Sequence, residues 1–505
     1  MSSILITTVP PHGHVLPALI IARELTARSV HDVDHLVIRP SREYTADIRA
    51  HAQRLAEEIR TMARLIIAAT PVYGHFAPLR AIAVDLVRRG HDVTFLTGSI
   101  FREALDGTGA RFAALQGGAD HDSSWRAELR PERESIPPGP ERIDFDLRRL
   151  FTDPIPDQHC SLQALLAEAG DEPVVVLHDT TFLGSWPVLL GAPGSQPTAV
   201  IGLGITVVPI SSMDTAPFGL GLPPDSSEEG RARNREANAF AQGQLLAGAQ
   251  AHLVEVLNSL GTTEAPPFII DGWVSVPDRY LQLSIAGLEY SRSDAPASLR
   301  FVGALPPETQ HQQSAHQQSA LPEWWDEVVT AKKVVVVSQG TIANQDFSAL
   351  IEPTLRALAD LDALVVATLG RAAPLSDVPA NARVAEFIPF DRLLAHTDVL
   401  VSNGGFGGVQ QALTHGIPMV LAGQTEDKME VAARAAWTGS AINLATQRPD
   451  EPEIRKAVES VLGIPSYREH ALRLQAEYAR HDALAEIAET IEELLLERWA
   501  IPAGH

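Results

Sequence analysis

Cys160 is the only cysteine in 505 residues, so no internal disulfide can brace the chain, and a reducing cytoplasm fits its composition. Basic residues are also scarce: 40 Lys and Arg stand against 63 Asp and Glu, a net charge of −23. That charge repels nucleic acid and anionic membrane surfaces except at a local basic patch, and the sequence has none. Long apolar runs are missing too. The opening MSSILITTVPPHGHVLPALIIA is apolar, but it has no basic leader, and its His and Pro residues interrupt any run of membrane-spanning length. A soluble, disulfide-free chain is expected. With 45% apolar residues it has ample material for buried cores, and its length calls for two domains with an extra piece.

What is there is concentrated in residues 398–430, DVLVSNGGFGGVQQALTHGIPMVLAGQTEDKME. Val399, Leu400 and Val401 form an apolar strand that ends in Ser402 and Asn403. The chain then passes through Gly404, Gly405, Gly407 and Gly408 into the helical pattern Val409, Ala412, Leu413. Glycines there let backbone approach a ligand, and the free N–H groups at the positive end of the helix favour an anion, so a phosphate or diphosphate is the natural guest. A tight turn needed only for packing is the bland alternative. His415 and Gly416 stop the helix, residues 417–421 read as a second buried strand, and the polar loop after it carries Glu426 and Asp427.

The whole stretch resembles the donor-binding signature of the family 1 glycosyltransferases, inverting enzymes that use a nucleotide sugar and have the α/β GT-B fold, two Rossmann-like domains facing each other across a cleft. In that family the segment runs from a diphosphate-binding His-Gly-Gly through a ribose-binding Glu to an Asp-Gln pair on the sugar hydroxyls. The matching positions here are Asn403-Gly404-Gly405, Gln411 and Asp427-Lys428. Asn403 and Gln411 keep the capacity to hydrogen-bond a phosphate and a ribose but not the charge of the usual residues, whereas Asp427 is retained as an acceptor for sugar hydroxyls. The resemblance extends upstream. Ser338-Gln339-Gly340-Thr341 matches a loop that faces the donor phosphates, with Thr341 as a hydroxyl donor. Phe387 and Ile388-Pro389 match the segment that stacks on uracil or thymine, although Phe390 replaces its Gln.

A second contact with the family lies near the start. Leu65-Ile66-Ile67-Ala68-Ala69 leads into Gly74-His75-Phe76-Ala77-Pro78, where the family places its general base in a Gly-His-x-x-Pro turn. The resemblance makes His75 that base, and an imidazole, with an ordinary pKa of about 6.5, suits proton transfer near neutrality. Residues 173–177 form a buried strand ending in His178 and Asp179, a place where ligands bind in open α/β sheets; an Asp there can also be a helix cap. The family's pattern makes Asp179 the partner that orients His75. Loops such as 211–235 form the acceptor pocket in these enzymes, with Phe218 and Leu220 as an apolar wall; an ordinary flexible loop is the alternative.

The expected organisation is an extra segment 1–63, which partly duplicates the first β-α unit and carries its own Gly13-His14; an acceptor domain 64–305; a polar linker 306–322; a donor domain 323–480; and a helix within 481–505 crossing back to the first domain. Tandem HQQSA repeats with His311 and His316 read as linker rather than as a metal site. The implied reaction moves a sugar from a UDP- or TDP-sugar to the hydroxyl of a small hydrophobic acceptor, with no metal and no cofactor. A catalytically impaired sugar-nucleotide-binding homologue and a nicotinamide-dependent oxidoreductase remain as alternatives. The second rests on Gly405-Phe406-Gly407 after a strand, but Gln410 stands where the third glycine of the dinucleotide fingerprint belongs.

Overall fold

The strand-forming stretches of this chain are continuous aliphatic runs, RLIIA, VVVLHD, VVVVS and VLVS, with no polar alternation. Such runs form strands covered on both faces, the hallmark of parallel sheets flanked by helices. The computed structural model describes residues 63–121, 129, 131–137, 139–306, 321–340, 346–370, 375 and 377–500. The duplicated start with His14, the repeats with His311 and His316, and Thr341 lie outside the described residues.

Two sheets result. The first runs in the order β3-β2-β1-β4-β5-β6-β7. Its strands are β1 (Arg64–Ala68), β2 (Asp92–Thr97), β3 (Arg111–Ala114), β4 (Val174–Asp179), β5 (Ala199–Gly204), β6 (Arg279–Gln282) and β7 (Leu299–Phe301). The second runs β10-β9-β8-β11-β12-β13. It comprises β8 (Val334–Ser338), β9 (Leu364–Thr368), β10 (Ala382–Ala385), β11 (Val399–Ser402), β12 (Met419–Leu421) and β13 (Ala441–Asn443). Every pairing in both sheets is parallel. Each sheet reverses its winding once, between β1 and β4 and between β8 and β11. Open α/β sheets bind ligands beyond the carboxyl ends of the strands at such reversals, which directs attention to the loops after these four strands.

Four helices position the site and brace the two sheets: α1 (Tyr73–Arg88), α2 (Phe406–Thr414), α3 (Lys428–Trp437) and α4 (Ala483–Ala500). Helix α4 returns from the second sheet to the first. Its Ile487, Ile491 and Leu494 share a buried cluster with Leu65, Ile67, Leu79 and Ile82 of β1 and α1. Surface ion pairs fringe this contact, Arg300–Glu493 at 2.8 Å and Arg279–Glu497 at 3.1 Å. Exposed pairs contribute only about 0–1 kcal/mol each, so burial of the aliphatic stripe is the main attachment. Helix Glu228–Phe240 passes through a π-helical turn, Ala241–Leu245, before helix Ala247–Ser259.

Candidate active site

The loop after β1 delivers His75 in the first turn of α1, and the end of β4 delivers Asp179, completely buried. His75 Nδ1 lies 2.8 Å from Asp179 Oδ1. A carboxylate can only accept, so Nδ1 carries the proton and Nε2 keeps its lone pair for a substrate. The carboxylate is held from several sides. The Thr70 backbone N–H donates to Oδ2 at 2.6 Å, while the N–H and Oγ1 of Thr181 donate to Oδ1 at 2.8 and 2.9 Å. Burial alone would raise the Asp179 carboxyl, but the facing His75 and the hydrogen bonds from Thr70 and Thr181 outweigh it and hold the pKa at about 2. Sequence reasoning placed His75 and Asp179 but missed Thr70 and Thr181, since a threonine at a strand end carries no signal of its own.

Because the folded value of about 2 lies below the ordinary 3.8, the ionised carboxylate stabilises the fold above pH 3.8 and loses that contribution as pH falls through about 2. Asp179→Asn should remove this acid sensitivity in thermal melts taken between pH 4 and pH 2. It should also lower kcat by about 10²-fold or more, because an amide cannot stabilise an imidazolium.

The donor-side residues come from the second reversal. Gly404 has φ +81°, a left-handed backbone that a side chain would strain, and it turns β11 into α2. Gly423, after β12, is required by close approach: a Cβ there would sit 2.0 Å from the Asn403 carbonyl oxygen. A Cβ at Gly407 or Gly408, by contrast, would meet nothing within 4 Å. Packing does not require those two glycines. They keep the space in front of the α2 N-terminus clear, where the first-turn N–H groups have no acceptor within the helix. Gly405 is the N-cap of α2 and supplies no side chain to fill that role. Gly407→Val is therefore expected to leave the melting temperature unchanged while weakening nucleoside-diphosphate binding at least about tenfold, roughly 1.4 kcal/mol by titration calorimetry.

Several expected donor contacts are arranged differently. Asn403 is buried, and one N–H of its amide donates to the Gln339 carbonyl at 2.7 Å, tying the loop after β11 to that after β8. It braces the turn with that hydrogen. The Ile388 side chain is 2% exposed within the apolar core of the second sheet, which leaves its backbone as the part able to face a base. Phe387 beside it is half-buried. Gln411 is buried on α2, with its carbonyl accepting from Thr414 and His415. Lys428 folds back so that its ammonium pairs with Glu426 and meets Thr425 Oγ1 at 3.1 Å. Its charge is used within the loop. Asp427 stands at the N-cap position of α3, where its side chain makes no capping bond, and accepts a hydrogen bond from the hydroxyl of Thr206, which follows β5. Burial pushes the Asp427 carboxyl up, opposed by the Thr206 bond and by Lys428.

That bond joins the carboxyl ends of the two sheets. The His75–Asp179 pair lies beyond β1 and β4, and the glycine turn beyond β11, each at the carboxyl edge of its parallel sheet. Phe218, expected from sequence in the acceptor wall, packs against the apolar cluster at the junction, whereas Leu220 is 52% exposed. Among the described residues no group of three or more His, Cys, Asp or Glu is placed to hold a metal ion, and no helix is long and apolar enough to cross a membrane.

Residues 352–494 match the profile of the erythromycin biosynthesis protein CIII-like C-terminal domain. UDP-glycosyltransferase 2 of Phaeomoniella chlamydospora is 48% identical over 441 residues, covering 85% of this chain and 95% of that protein. The 4'-demethylrebeccamycin synthase of Lentzea aerocolonigenes is 39% identical over 433 residues, covering 86% of this chain and 100% of the relative. Among solved structures, the kitacinnamycin glycosyltransferase superposes with a TM-score of 0.62 at 23% identity, over 85% of this chain and 98% of its own, a likeness of fold.

Proposed function

The chain belongs to the UDP-glycosyltransferase family of GT-B glycosyltransferases, and from that premise we propose that it transfers a sugar from a nucleoside diphosphate to a hydroxyl of a small lipophilic natural product, with inversion at the anomeric carbon. His75 Nε2 takes the proton of the acceptor hydroxyl. The freed oxygen attacks the anomeric carbon from the face opposite the diphosphate, the bond to the leaving oxygen breaks, and the nucleoside diphosphate departs. Asp179 keeps the imidazole in the required tautomer and stabilises the imidazolium that forms. The N-terminus of α2 and the backbone around Gly404 and Gly405 receive the charge that develops on the diphosphate.

On this reading helix and backbone dipoles do the work a divalent cation does elsewhere, so transfer should persist in excess chelator. Asp427 reads sugar hydroxyls in exchange for its bond to Thr206. The observation that supports the proposal is the hydrogen-bonded His75–Asp179 pair at the carboxyl edge of the first sheet, with a glycine-flanked helix N-terminus at the carboxyl edge of the second. Names of relatives that refer to erythromycin and rebeccamycin support a natural-product acceptor, and the 48% relative supports UDP over TDP.

The reading is tested by incubating the protein with UDP- and TDP-sugars and a panel of phenolic, macrolide and sterol acceptors. A mass gain of one hexose or deoxyhexose, with the product's anomeric configuration opposite to the donor's by NMR, is the expected result. Binding of nucleotide sugar without transfer to any acceptor, or retention of configuration, would overturn it.

A further inference from the structure

We propose that Glu430 positions the acceptor-side loop 217–221, so that part of the acceptor wall is assembled by the donor domain. The inference rests on the reading of that loop as acceptor wall. Glu430 stands in the first turn of α3 and is 5% exposed. Its Oε1 accepts the backbone N–H groups of both Gly219 and Gly221, each at 2.8 Å. Both glycines have positive φ, +97° and +60°, which turns their amides toward a common point and makes a small anion nest around one carboxylate oxygen. Met429 closes the contact, since its side chain would lie 2.7 Å from a Cβ at Gly221.

The other oxygen of Glu430 is fixed as well. Arg434, one turn further along α3, donates to Oε2 at 2.6 Å and holds the carboxylate from behind. Arg434 is itself locked to the first domain through Glu289 at 2.8 Å and the Val208 carbonyl at 3.0 Å. The loop is thus clamped by a residue of the other domain that is itself immobilised by a charge network. Leu220, between the two clamped amides, is presented outward. Asp427 precedes Glu430 by one turn of the same helix. The groups proposed to read the donor sugar and to shape the acceptor wall therefore move as one rigid element.

The test is a comparison of E430A, E430Q and L220A for acceptor KM, kcat and donor Kd. Losing a buried charged acceptor of two N–H groups should raise acceptor KM in E430A by roughly tenfold, with donor Kd unchanged. E430Q keeps one oxygen that can accept both amides but turns its NH2 toward the Arg434 guanidinium, so it should recover part of that loss. An unchanged acceptor KM in E430A, or an equal rise in E430Q, overturns the clamp. If L220A raises acceptor KM while E430A does not, the wall reading stands and the clamp fails. If neither does, the wall reading itself fails. Should E430A not fold, hydrogen exchange on the wild-type protein decides: protected amides at 219 and 221 support the clamp, and free exchange overturns it.

Discussion

Replacing His75 with alanine is expected to lower the transfer rate by about 10²–10⁴-fold, the usual contribution of a positioned general base, while leaving nucleotide-sugar affinity unaltered. The split follows from geometry. His75 belongs to the first sheet and touches Asp179 and Thr181, whereas the glycine turn and α2 belong to the second. Calorimetry with the nucleotide sugar and single-turnover kinetics on the same preparation separate the two effects. Activity retained in His75→Ala, or lost instead in His14→Ala, would assign the base elsewhere.

Arg434→Ala is expected to be the most destabilising single substitution at the domain junction, by about 3–5 kcal/mol, because it strands buried carboxylates without their cation. Arg434 is 1% exposed, bonded to Glu289, Glu430 and the Val208 carbonyl, with its guanidinium carbon 4.3 Å from the centre of the Tyr290 ring. Burial would lower its pKa, but Glu289 and Glu430 more than compensate and raise it, so it keeps its charge throughout the working range. Lysine should not rescue the loss, since one ammonium cannot reproduce a planar fork directed at several acceptors and stacked on a ring. Urea denaturation of wild type, Arg434→Ala and Arg434→Lys measures this. A loss below about 1 kcal/mol in the alanine variant would show that the network contributes geometry without stability.

The parts of the site that could be read from the sequence are those made by contiguous residues. The glycine turn and α2 lie in one stretch, and the anion-binding role proposed for them follows from backbone dipoles that any strand-turn-helix of that composition must present. His75 and Asp179 were legible for a related reason: each stands just past an aliphatic run that has to be a buried strand, and parallel strands put their carboxyl ends on one edge. The resemblance supplied the pairing. Where side-chain direction mattered, the sequence carried less. Ile388 sits in a segment matched to base binding, yet its aliphatic side chain gains more in the core than beside a polar ring. Asn403 matches a phosphate-binding position, yet one amide hydrogen is taken by the Gln339 carbonyl at 2.7 Å. A buried polar group goes to the nearest acceptor the fold provides, and no local pattern names it.

The sequence alone determined the strand-turn-helix suited to an anion and the strand ends that carry His75 and Asp179, because each depends on periodicity and composition within a short span; the two-domain fold came with the family resemblance. Only the tertiary structure decided how the halves are joined. Glu430 and Arg434, spaced like an ordinary surface pair on a helix, are buried between domains, and Thr206 reaches Asp427 across the cleft. Contacts between residues more than 140 positions apart in the chain, such as Arg434 with Glu289, depend on how two rigid sheets dock. Docking is set by the shape and charge of whole surfaces, which no window of the sequence contains.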